Sequence, residues 1–145
     1  MRYKQLKNGY LIRIMKDEEL ITELTNFCKE KLISGASLTG IGGVSKCEIV
    51  YFSMETTQYS GKTFNEQLEL LSITGNITIV NKQPFVHAHV VLGDKNMKTY
   101  GGHLKSAIIC PTAEIIITEL FDEKESKLKI ERKKDEISGL NLMEL

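Results

Sequence analysis

After residue 45 this 145-residue chain never returns to the three-and-four spacing of apolar residues that a core-facing helix needs. The remainder is a series of short segments rich in β-branched and aromatic residues: 46–53, 67–74, 77–81, 85–92, 97–105, 113–121 and 127–132. Residues 10–15, Tyr-Leu-Ile-Arg-Ile-Met, add a strand near the start. Gly75-Asn76 has the composition of a two-residue hairpin turn, and residues 93–96, Gly-Asp-Lys-Asn, that of another. Pro111 cannot donate to a ladder, so residues 108–112 are expected to be a strand start, a kink or an edge. The one helix comes before most of these strands. Leu20, Ile21, Leu24, Phe27, Cys28 and Leu32 make its single apolar stripe. Asp17 suits its N-cap, Glu18 and Glu19 complement its positive end, Lys29 and Lys31 its negative end, and Ser34-Gly35 its stop. One helix with six to eight strands predicts an α+β domain, a mainly antiparallel sheet with the helix on one face. With no repeat, linker or low-complexity tract, residues 1–145 are expected to form one domain.

Composition narrows the function classes. Apolar content of 41% and charged content of 26% are those of a globular protein. Nineteen basic and nineteen acidic side chains cancel, which argues against a dedicated nucleic-acid binder, whose basic surface must displace counterions from phosphates. No apolar run approaches the ~20 residues of a membrane helix. The basic start, Met-Arg-Tyr-Lys-Gln-Leu-Lys, is not followed by the apolar stretch of a signal peptide. Cys28, Cys47 and Cys110 form no Cys-x-x-Cys pair and fit small buried side chains in a reducing cytoplasm. Residues 122–136 interleave six basic with six acidic side chains, the pattern of a solvated strand and turn. Gly40, Gly42 and Gly43 lack the strand-before, helix-after setting of a nucleotide loop and predict a tight turn with close backbone packing. Tyr51, Tyr59 and Tyr100 show no repeat spacing, so core or interface packing is expected of them.

The chain has three histidines, and all lie between residues 87 and 103. Three imidazoles are a standard zinc shell with one position open. His87 and His89, two apart on a strand, project from one face. His103 joins them only if the register sum of the two strands is even. A four-residue loop over 93–96 makes the sum odd. An odd-length loop, or a bulge at Gly101-Gly102, is therefore required. The rival readings are hydrogen-bonded surface histidines and the cupin motif. The latter fails because its glutamate position holds Gly93 or Asp94 and no fourth histidine exists. Glu69, sharing a face with Leu71 and Ile73, could orient a histidine or act as base beside a metal-bound water. The plainer role for Glu69 is a pair with Lys82. Glu114 offers the same two choices, base or salt bridge.

With these residues in view the chain resembles the plants-and-prokaryotes-conserved domain over nearly its whole length. The resemblance rests on residues 35–44 (Gly-Ala-Ser-Leu-Thr-Gly-Ile-Gly-Gly-Val) and 68–76 (Leu-Glu-Leu-Leu-Ser-Ile-Thr-Gly-Asn). It also rests on 84–94 (Pro-Phe-Val-His-Ala-His-Val-Val-Leu-Gly-Asp), Gly101-Gly102-His103-Leu104 and Thr112-Ala113-Glu114. It implies an antiparallel sheet flanked by helices, a homotrimer, and in prokaryotic members a metal, zinc first, at the position of His87, His89 and His103. Plant members add an Arg-Gly-Arg-Pro hook for A·T-rich DNA, and that motif occurs nowhere in this sequence. Where the family's partner-binding stretch has Gly-Arg, this chain has Glu66-Gln67. The expected protein is thus a trimeric module holding zinc or another divalent transition metal, with a small molecule or protein partner at the subunit interface. The alternative is a metal-dependent hydrolase with Glu69 or Glu114 as catalytic base. DNA binding ranks last.

Overall fold

Helix α1 forms where its stripe demands it, over Leu20–Glu30, in a computed structural model that describes residues 1–144. Leu20, Leu24, Phe27 and Cys28 are buried along one side. Its cap differs from the expected one. Asp17 sits at φ 70° in the preceding turn, and Glu19 is the N-cap, accepting from the backbone N–H groups of Ile21 and Thr22 at 3.2 and 2.7 Å. Glu19 also accepts from the N–H of Ala107 at 3.0 Å, so the cap ties the helix to the sheet. The helix stops before Ser34-Gly35. Leu32 takes a left-handed φ of 56° and is exposed, while Ile33 donates back to the carbonyl of Cys28 at 2.9 Å and fills the core place expected of Leu32.

The strands are β1 (Arg2–Leu6), β2 (Gly9–Met15), β3 (Ala36–Ser53), β4 (Gln58–Phe64) and β5 (Leu68–Val80). They continue as β6 (Gln83–Gly93), β7 (Thr99–Glu119), β8 (Arg132–Lys134) and β9 (Asn141–Met143). The first seven form one antiparallel sheet in the order β1-β2-β7-β6-β5-β3-β4, and β8 and β9 form a separate hairpin. Strand β3 also pairs with β7, so the circuit β7–β6–β5–β3 closes on itself. The α+β class and the antiparallel sheet are as the sequence indicates.

Two pairs of expected strands are each one long strand. Segments 67–74 and 77–81 merge into β5, because Gly75-Asn76 is not a turn. Gly75 lies mid-strand opposite Ala88, and a Cβ there would fall 2.1 Å from the carbonyl oxygen of His87. Glycine is needed for close approach, not for a bend. The turn is at Asn81 and Lys82, both at positive φ as a type I′ hairpin requires. Segments 97–105 and 113–121 merge into β7. Pro111, after a cis peptide bond, marks the kink where pairing with β3 slips between Ala113–Gly42 and Ile109–Val44. Gly40, Gly42 and Gly43 lie within β3 rather than in a tight turn; a Cβ on Gly43 would meet the carbonyl of Cys110 at 2.3 Å. The expected strand 127–132 survives only as Arg132 at the start of β8.

The core on one face of the sheet contains Ile12, Ile14, Leu38, Ile73, Ile77, Leu92, Ile109, Ile115 and Ile117, together with Leu20, Leu24 and Phe27 of α1. Cys28 and Cys47 are buried free thiols. Burial pushes both up to about 12, which leaves them unreactive at neutral pH. Cys110 is half-buried and also free.

Candidate metal centre

Two neighbouring strands deliver the three histidines. In β6, His87 and His89 face the same side, beside Asn76 and Thr74 of β5. Across the other edge of β6, Gly93 pairs with Thr99 and Leu92 with Tyr100, so His89 lies directly opposite His103. The intervening loop is residues 94–98, one residue longer than the four-residue turn and odd in number. Loop length, rather than a bulge at Gly101-Gly102, therefore sets the parity. Asp94 fastens this loop: its carboxylate accepts from the N–H groups of Asn96 and Lys98 at 2.8 and 3.0 Å and from the hydroxyl of Tyr100 at 3.2 Å.

The three rings face one another with centroids 5.0 to 5.4 Å apart, and one nitrogen from each lies within 4.8 Å of the others. A tetrahedral ion at about 2.0–2.1 Å from each nitrogen needs them about 3.3 Å apart, a contraction within reach of small side-chain rotations. Metal ligation also needs neutral rings. Burial, then Arg132 and the other two histidines, lowers the pKa of His87 to about 4. Burial and His89 lower that of His103. His89 is exposed. The donor set therefore fits a divalent transition metal.

A fourth residue, Arg132, belongs to this site. Its Nε donates to Thr78 Oγ1, its Nη2 to Asn76 Oδ1 and its Nη1 to the carbonyl of Asn141, each at 2.8 Å. Nη2 also lies 3.2 Å from Nδ1 of His87, and the guanidinium stands 5.5 Å from the ring centre of Phe85. Residues 122–136 are thus not wholly a solvated run. Lys127 likewise turns back, pairing with buried Glu119 at 2.7 Å. One sequence signal was available: Arg132 is the sole arginine among the six basic residues of the run, and a planar fork of donors suits several fixed acceptors better than an ammonium does. Beside the histidines is a cleft of about 320 Å³, lined chiefly by Tyr59, Phe85, His87, His103, Arg132 and Asn141.

The two carboxylates lie elsewhere. Glu69 pairs with Gly43 and Gly93. Along β6 that is four residues from His89, about 13 Å at about 3.3 Å per residue. It does not meet Lys82, which is in the β5–β6 turn. A bulge between Leu70 and Ser72 also leaves Leu71 exposed beside Glu69 while Ile73 turns into the core. Glu114 pairs with Arg13 and Ile41 at the far end of β7. Both acids are exposed, and both line a separate groove of about 420 Å³ with Ile41, Leu71, Pro111 and Thr112.

The antiparallel sheet with one helix places the chain in the α+β class, and the histidine trio sits at its β6–β7 seam. The model of the Plants and Prokaryotes Conserved (PCC) domain matches residues 1–121, and the chain belongs to that family. Among solved structures it is similar to a plant- and prokaryote-conserved (PPC) protein of Pyrococcus horikoshii: 38% identity, TM-score 0.86, covering 99% of this chain and 95% of that one. A metal-containing protein of Archaeoglobus fulgidus is 33% identical, TM-score 0.86, with 100% and 99% covered. A candidate DNA-binding protein of Bacteroides thetaiotaomicron is 33% identical, TM-score 0.91, with 99% and 96% covered. The "Bifunctional protein GlmU" of a Synechococcus strain is 28% identical over 120 residues. That stretch is 81% of this chain but only 18% of that protein, so this chain spans under a fifth of the curated relative it matches.

Proposed function

We propose that this chain is a homotrimeric metal-binding module, with zinc or another divalent transition metal held by His87, His89 and His103. One observation carries the reading: every histidine in the sequence lies in one cluster, with ligand atoms within 4.8 Å of one another. The metal-containing relative from Archaeoglobus fulgidus adds support. A bound zinc would supply a Lewis acid with one coordination position left for a ligand or water. The aromatic cleft beside His87 and His103 suits a small molecule or partner segment at that position. Apolar side chains exposed on the outer sheet face support assembly. Free cysteines, two of them buried, agree with a reducing cytoplasm, and no helix among the described residues is long and apolar enough to cross a membrane.

The hydrolase reading has less behind it, since neither Glu69 nor Glu114 is placed to serve the trio as base. DNA binding has the names of two similar structures in its favour, one of them only 24% identical, and a net charge of zero against it. Metal analysis tests the main reading. Wild type should carry about one ion per chain, and His89→Ala should lose it while keeping its fold. Equal, negligible metal in both proteins would end the proposal.

A further inference from the structure

Arg132 has the wrong polarity for the neighbour of a metal-bound histidine. A ligating imidazole ordinarily donates its second ring N–H to an acceptor such as a carboxylate or carbonyl. A guanidinium has donors only. Its approach to Nδ1 of His87 at 3.2 Å is a hydrogen bond only when Nδ1 presents a lone pair. Neutral imidazole has a single lone pair of this kind, so Nε2 then carries the hydrogen.

A metal on His87 needs that same lone pair. Should it take Nδ1, it displaces the arginine directly. Should it take Nε2, the hydrogen moves to Nδ1 and two donors face each other. Both routes break the contact.

We propose that Arg132 and the metal compete for His87, so that metal entry ejects the arginine and loosens the C-terminal hairpin it secures. This rests on the metal reading of the trio. The hairpin is affected because the same guanidinium holds β9 through the carbonyl of Asn141 and β5 through Asn76 and Thr78. Arg132 and Asn141 also wall the cleft, so metal occupancy and access to the cleft are coupled. Arg132 lies beyond residues 1–121, which the family model matches.

Nitrogen NMR of the metal-free wild-type protein, followed by zinc addition, tests this without any assay of activity. The expected start is His87 with its hydrogen on Nε2. Zinc should then abolish the Arg132 contact and speed amide exchange in residues 132–143 by about tenfold, with no such change in His89→Ala. Arg132→Ala should bind zinc about tenfold more tightly than wild type, by loss of a charge-assisted competitor. A metal-free His87 protonated on Nδ1, unchanged hairpin exchange on zinc binding, or weaker zinc binding by Arg132→Ala would overturn the competition alone. No zinc bound by wild type or variant would remove the metal reading and this inference together. If Arg132→Ala fails to fold, the wild-type spectra decide.

Discussion

Burial among Phe85, Arg132 and two further imidazoles makes a proton on His87 costly, and its pKa of about 4 lies well below the ordinary value. Burial and the neighbouring His89 lower His103 as well. In the unfolded chain both rings titrate near ~6.5. A folded pKa below the unfolded one means that the folded chain binds fewer protons in the window between them. Stability is therefore lost as pH falls from about 6.5 toward 4. The metal-free protein should show a lower urea midpoint at pH 5.5 than at pH 7.5, and His87→Gln should remove most of the difference. Identical midpoints in the wild type would show that His87 is not buried as described. The histidines themselves are legible in the sequence, because three rings in one short stretch stand out in a chain with no others. Arg132 is hidden by its neighbours: a charge run describes its composition, while its burial depends on which strand the C-terminal hairpin meets.

At the level of strands, Gly75 connects sheet geometry to the site. A methyl group there would collide with the carbonyl of His87 itself, in the strand that carries two of the three rings. Gly75→Ala should cost about 3 kcal/mol, as a backbone clash in a packed interior does, and should weaken metal binding by shifting β6. Thermal melting and zinc titration of the variant check both effects; a full-strength site on an undisturbed sheet would contradict the packing. The same residue shows where sequence reading loses ground. Glycine marks a turn or a close approach, and local sequence does not distinguish the two, so β5 reads as two strands. The true turn, Asn81-Lys82, has an asparagine suited to positive φ but a lysine where glycine is usual. Strand β4 is invisible to pattern because Gln-Tyr-Ser-Gly-Lys-Thr-Phe is polar and exposed; it exists through pairing with β3 at the sheet edge. The first half of β3 is masked because its glycines serve contact with β7. The legible elements are the periodic ones: the stripe of α1 and the alternation in β2 and β6. Caps and register are not legible, because Glu19 is chosen by its contact with Ala107 and the β6–β7 parity by a loop fastened by Asp94.

Closure of the sheet has a consequence for the molecule as a whole. Core-facing positions are consumed by the interior and α1, so apolar residues such as Ile41 and Ile116 stay exposed on the outer face, with nothing among the described residues to cover them. Leu11 pairs with Ile116, which pairs in turn with Thr39, while Ile41 stands one step further along β3 beside Leu71. Ile41 is 58% exposed and Ile116 42%, on long strands where solubility favours polar residues. The histidines open onto this same face through His89, opposite Thr74. An assembly formed here would bury the patch and enclose the site at one stroke. Full burial of each large aliphatic side chain is worth about 1.5–3 kcal/mol, so a few per subunit, counted in every copy, suffice against the entropy of association. Light scattering should give a mass three times the 16.4 kDa of one chain. Ile116→Lys and Ile41→Glu place charges on exposed positions that the monomer tolerates, and each should yield folded monomers with weaker metal retention. Charged variants still trimeric would move the subunit contact away from this face, and a monomeric wild type would remove the trimer itself.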